Sequence, residues 1–77
     1  MVHIISVQAA EGGWSVSSDA TVNEMMFLSG AKAEQAARKL GEQLAADGQT
    51  AEIRIFLRDG QLAGSFVRPA RPLAMVG

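Results

Sequence analysis

Cysteine and tyrosine are absent from this chain, and histidine and tryptophan occur once each. Without Cys there is no disulfide, no thiolate zinc site and no thiol nucleophile. That composition is compatible with a reducing compartment, and the cytoplasm is the expected location. The stretch from Met1 to Val7 has neither the basic n-region nor the long apolar h-region of a secretory signal. No run approaches the roughly 20 apolar residues that a membrane helix requires, so the expectation is a soluble protein without a membrane partner. An excess of charge of one sign is missing too. Seven Lys and Arg against eight Asp and Glu leave a formal net charge of -1. Such a chain has no long-range field to gather nucleic acid or anionic lipid and could offer only a local basic patch.

What is present is apolar but thin. Apolar residues make up 48% of 77, yet many are Ala, which removes little area from water. A chain of this length fits one domain and buries only roughly 60% of its unfolded surface. The bulky core candidates are Ile4, Ile5, Val7, Trp14 and Val16, then Met25 to Leu28, Leu40 and Leu44, and finally Ile53, Ile55, Phe56, Leu57, Leu62, Phe66 and Val67. So little bulk predicts association with a second chain.

Val2 to Gln8 is composed almost wholly of β-formers, and Glu11-Gly12-Gly13 supplies a turn before Trp14 to Ser18, which predicts a hairpin. Alternation puts Trp14 and Val16 on one face of the second strand and Ser15 and Ser17 on the other. Asp19 to Asn23 reads as a loop. Glu24 to Leu28 is a short apolar run that fits a third strand or an extended lead into a helix. From Ala31 to Ala46 strong helix formers dominate, with Ala33, Ala36, Ala37, Leu40 and Leu44 on one stripe. Ser29 or Gly30 can cap the start, and Asp47-Gly48 ends the helix. Ala33, Ala37 and Gly41 lie close to one face, which predicts a close approach to a sheet.

Thr50 to Leu57 alternates Ala51, Ile53, Ile55 and Leu57 against Glu52, Arg54, Phe56 and Arg58, and Asp59-Gly60 then signals a hairpin returning through Gln61 to about Arg68. Pro69 and Pro72 break regular structure, so residues 69–77 read as a flexible tail after a single domain at 1–68. The expected architecture is α+β, in the order β-β-(β)-α-β-β, with an antiparallel sheet and one amphipathic helix on one face.

Gly12-Gly13-Trp14-Ser15-Val16, then Lys32-Ala33-Glu34 opening an Ala-rich helix with Ala37-Arg38, then a strand ending in Arg58-Asp59-Gly60-Gln61, resembles the small bacterial family catalogued as domain of unknown function 2188. The resemblance spans about residues 2 to 68. It departs at the Met25 to Leu28 run and at Gly30, where that pattern has a Thr-type helix cap. It implies a β-β-α-β-β domain without established activity and transfers no functional residues.

No set of residues assembles ordinary enzyme chemistry. His3 is the sole histidine, and spacing provides neither an orienting partner nor a substrate site, so an ordinary surface or edge-strand role outweighs a general base. The carboxylates are scattered without an oxygen-ligand loop pattern, which predicts no metal. Gly12-Gly13 and Asp59-Gly60 do not open helices and read as turns rather than phosphate loops. Ser15, Ser17 and Ser18 read as polar sheet-face residues, and Trp14 as core rather than a stacking platform. No cofactor or small-molecule substrate is indicated.

One surface stands out. If Ile53, Ile55 and Leu57 face the helix, then Arg54, Phe56 and Arg58 share the open sheet face, with Arg68 near their end of the hairpin. An aromatic between arginines on an open sheet is the kind of surface that single-stranded nucleic acid uses. Arginine stems packed over Phe56, or a dimer contact, account for it equally well and outweigh nucleic acid, given the negative net charge. The reading is therefore a non-catalytic binding or assembly module, a homodimer formed through the open sheet face or an edge strand. A nucleic-acid-binding module using Arg54, Phe56, Arg58 and Arg68 is the alternative.

Overall fold

The structure, a computed structural model, describes residues 2–71. In chain order it contains β1 (Val2–Ala10), β2 (Gly13–Ser18), β3 (Met25–Phe27), α1 (Gly30–Ala46), β4 (Thr50–Phe56) and β5 (Leu62–Arg68). The five strands form one sheet in the order β3-β2-β1-β4-β5, and α1 packs across one face of it. The fold is α+β, and the apolar run after Glu24 forms a three-residue strand.

Two hairpins arise from local chemistry. β1 and β2 pair antiparallel with Ala10 opposite Gly13, and the turn between them places Gly12 at φ 78°, where a side chain would be strained. The β4–β5 turn does the same with Gly60 at φ 93°, while the Leu57 N–H donates to the Gln61 carbonyl at 2.7 Å. The helix starts because Ser29 Oγ accepts the Lys32 N–H at 3.1 Å. Its last carbonyls accept from the chain beyond the end, Gly48 N–H to Ala45 at 3.0 Å and Gln49 N–H to Leu44 at 2.9 Å.

The sheet is mixed, which corrects the expectation of an antiparallel one. β1 and β4 are parallel neighbours, with Ile5 opposite Ile53 and Val7 opposite Ile55. Direction explains this. β1, β2 and β3 alternate in sense, and α1 carries the chain back, so β4 points the same way as β1 and β3. Only β2 among the first three strands has the opposite sense, and both its sides are occupied. Wherever β4 joins this meander, its neighbour must be parallel.

Ala33, Ala37, Gly41, Leu44 and Ala45 are buried on the helix, facing Ile5, Val7, Val16, Ala51 and Ile53 on the sheet. Small residues bring the two layers together: a Cβ on Gly41 would lie 3.0 Å from Ile53 Cδ1. Trp14, Phe27, Leu40, Ile55 and Phe66 are partly buried around this centre. Several bulky residues expected in the core are instead exposed, among them Met26, Leu28, Leu62 and Val67. Leu57, expected to face the helix, is 48% exposed because the β4 alternation ends before it. Ile55 lies opposite Gly64 and Phe56 opposite Leu62, so Ala63 is an extra residue that bulges β5.

Of the segment expected to be a flexible tail, residues 72–77 lie outside the described residues. Before them, Ala70 N–H donates to Thr50 Oγ1 at 3.1 Å and Arg71 N–H to the Ala45 carbonyl at 3.0 Å.

Two glycines on strands separate close approach from open space. A methyl group on Gly13 would collide with the backbone carbonyl of Phe27, whereas one on Gly64 would meet nothing within 4 Å. Gly13→Ala is expected to destabilise the fold by about 1–3 kcal/mol through that overlap. Gly64→Ala should be neutral or stabilising by up to about 0.5–1 kcal/mol, since glycine inside a strand is entropically costly. Urea unfolding of both variants checks the pair.

Candidate functional site

Register fixes which side chains share the uncovered face. Across it runs a polar row, Ser17 on β2, Ser6 on β1, Arg54 on β4 and Ser65 on β5, each opposite the next. Beside that row Ile4, Glu52 and Val67 form a second line. On its other side Met26, Ser15 and Gln8 form a third, with the Phe56–Leu62 pair completing it. Arg54 does not stand free: its Nε lies 2.6 Å from Glu52 Oε2, two residues away on the same strand. Phe56 is half-buried opposite Leu62.

Arg58 and Arg68 are elsewhere. Arg58 lies beyond the end of β4, in the turn, and its guanidinium sits 5.0 Å from the Trp14 ring centroid. Trp14 is on the helix side, opposite Ala9 and Phe27. Arg68 lies opposite Ala51, a fully buried residue of the helix-facing side, and pairs with Glu42 of α1. Arg68 Nε is 2.9 Å from Glu42 Oε1, but its N–H is not aligned with that oxygen, so the contact is ionic rather than hydrogen-bonded. Arg54, Phe56, Arg58 and Arg68 thus share no single surface. This corrects the open-face placement expected for Arg58 and Arg68.

An aromatic between two arginines does exist, built from other residues. Phe66, opposite Ile53 on the helix side, has Arg38 at 4.5 Å and Arg68 at 5.5 Å from its ring centroid. Arg38 is held one helical turn from Glu34 at 2.8 Å, and Glu42 takes both Arg68 and Arg71. These pairs are partly exposed and contribute about 0–1 kcal/mol each. Strand alternation alone could not reveal the cluster, because Arg38 and Glu42 arrive from the helix.

His3 also has a partner that spacing did not indicate. The β1–β2 register sets Ser18 opposite Ile5, which brings Asp19 beside the start of β1. Asp19 Oδ1 then lies 3.1 Å from His3 Nδ1 and accepts the Ile4 N–H at 3.1 Å. A carboxylate-oriented imidazole is half of a general-base arrangement. Neither of two surface depressions includes it: one of 200 Å³ between Gln8, Phe56 and Arg58, and an apolar one of 310 Å³ between the 21–25 segment and α1. Among the described residues no three His, Asp or Glu side chains converge as a metal-binding set, and no helix is long and apolar enough to cross a membrane.

The sheet's two edges differ. β3 is three residues long. β5 is seven residues long, largely exposed, and carries neither proline nor charge before Arg68. Its bulge falls at Ala63, leaving Gly64 to Arg68 in regular register with β4.

No family model, no curated protein and no solved structure matches the chain.

Trp14 is the sole tryptophan and its emission reports on the Arg58 contact directly. Arg58→Ala is expected to shift that emission to longer wavelength as water reaches the ring. The stability loss should stay within about 1 kcal/mol, the scale of an exposed cation–π contact. Fluorescence spectra and a urea titration of the variant test both halves.

Proposed function

We propose that this protein is a non-catalytic assembly module that pairs with a second copy through the β5 edge, joining two five-stranded sheets into one. The carrying observation is the character of β5: seven residues, mostly exposed, with no charge or proline before Arg68. Proteins that stay monomeric blunt such an edge with lysine, proline, bulges or a covering segment, because its unpaired N–H and C=O groups template another strand. The opposite edge is blunted by its shortness, and the bulge on β5 affects only the end next to the turn.

The uncovered sheet face supports association less well. Packing it against a copy of itself would bury the Ser17, Ser6 and Ser65 hydroxyls and the Arg54–Glu52 ion pair. Desolvating an ion pair and unpaired hydroxyls costs more than their mutual contacts return unless every group finds a new partner. Edge pairing gives each backbone group a partner and leaves that face in water. Nucleic-acid binding through Arg54, Phe56, Arg58 and Arg68 has weaker support, because all three arginines are engaged, with Glu52, Trp14 and Glu42 respectively, and lie on different sides.

Sedimentation equilibrium at two salt concentrations is the test. The native chain should be at least dimeric at high micromolar concentration, with little dependence of the β5 pairing on salt, since backbone hydrogen bonds carry that contact. Placing lysine on the edge, Ser65→Lys with Val67→Lys, should weaken this dimer by about tenfold or more while the circular dichroism stays unchanged. A native chain that is monomeric at every concentration, or a dimer indifferent to both lysines, overturns the β5 reading.

A further inference from the structure

The most exposed bulky apolar side chains of the described residues lie far from β5. Val22 is 99% exposed and Leu28 91%, at the two ends of the segment that contains β3, with Met25 and Met26 between them also exposed. Solitary exposed apolar residues are ordinary, but a contiguous set on one edge marks an interaction surface. Next to Val22 the cleft of 310 Å³ opens between this segment and α1, walled by Met25, Ala36 and Leu40 with Lys39 at its rim. It has room for more than one valine side chain and little polar surface to reward water.

We infer that this edge is a second self-contact, in which Val22 of each of two copies enters the cleft of the other. It is independent of the β5 pairing proposed above, because β3 and β5 are opposite edges of the sheet. A second copy fits better than an unrelated partner because the protruding side chain and its receptacle adjoin on one surface. A two-fold contact requires that kind of self-complementary patch. Charge agrees with the same arrangement. Glu24 stands on the protruding segment and Lys39 on the rim of the cleft, and neither makes an ion pair among the described residues. In the contact inferred here Glu24 of each copy pairs with Lys39 of the other, so one symmetric contact settles both charges twice. With β5 pairing at the other edge, the two contacts would extend dimers into larger assemblies rather than compete.

The experiment uses the full chain carrying Ser65→Lys and Val67→Lys, which weakens the β5 contact, followed by sedimentation equilibrium up to about 1 mM. That protein should still dimerise. Adding Val22→Asp should weaken the association by about tenfold or more. Adding Lys39→Glu alone should weaken it several-fold, and Lys39→Glu with Glu24→Lys should restore it. All three positions are exposed, so folding is expected to survive, and circular dichroism confirms it. A monomer throughout the range overturns the inference, as does a dimer unaffected by Val22→Asp and by the charge exchange. In the otherwise native chain the two contacts separate. A dimer abolished by Val22→Asp but not by the β5 lysines supports this contact against the β5 reading, and the opposite pattern overturns this one.

Discussion

The pairing of β1 with β4 is the contact on which the rest of the molecule depends, since it joins two halves that are otherwise locally built. β1, β2 and β3 follow one another as a meander, and β4 and β5 form a hairpin, so each unit closes through short turns. Neither can bury its apolar side alone. The register that sets Ile5 beside Ile53 and Val7 beside Ile55 creates the apolar strip that α1 covers. Because the paired residues are far apart in sequence, that contact carries the loop-closure cost and is the slow step expected in folding. The helix lowers that cost by lying directly between the halves it connects.

How the helix covers the strip explains why so small a core suffices. Its inner face is Ala33, Ala37, Gly41, Leu44 and Ala45, and only Leu44 is large. Bulk therefore comes from the sheet, from Ile5, Val7, Val16 and Ile53, and the helix contributes proximity. Close-packed layers keep dispersion contacts that a looser, bulkier arrangement would forfeit. The consequence is a narrow core beneath the middle strands. The helix covers one face only, so Met26, Leu62 and Val67, which register places on the other face of the edge strands, are exposed, while Val22 and Leu28 lie outside the strands at the β3 edge.

Much of this architecture is legible in the sequence, and the parts that are not share a cause. The helix, its Ser29 cap, its Gly48 stop and both glycine turns follow from local propensity and backbone conformation, which act over a few residues. The faces of β2 were readable because Trp14 and Val16 alternate cleanly with serines. Strand direction was not, because a period of two reads the same in either sense. It became determinate only once Met25–Phe27 was known to be a strand, since that third strand occupies the one antiparallel place β4 could have taken. The arginine surface departs from the sequence pattern for a related reason. Extending the β4 alternation past Phe56 put Arg58 with Arg54, but the chain turns there, and Arg58 folds back over Trp14. Arg68 sits beside Val67 in a strand where Phe66 and Val67 both look apolar, and only the pairing with β4 decides which of them faces the helix.

The open sheet face and the sheet edges then divide their roles by chemistry. A row of serines with an internally neutralised Arg54 is polar, and nothing is gained by covering it unless the cover supplies matching donors and acceptors. The margins are the reverse: apolar side chains and, on β5, a free hydrogen-bonding backbone that is satisfied by another strand as well as by water. Burying a margin therefore returns free energy from both sources, whereas burying the face must first offset desolvation. For a domain whose own core is this narrow, the surplus stability it lacks internally is available at its edges, and lateral growth of the sheet is the form of association that reaches it without dismantling the polar row.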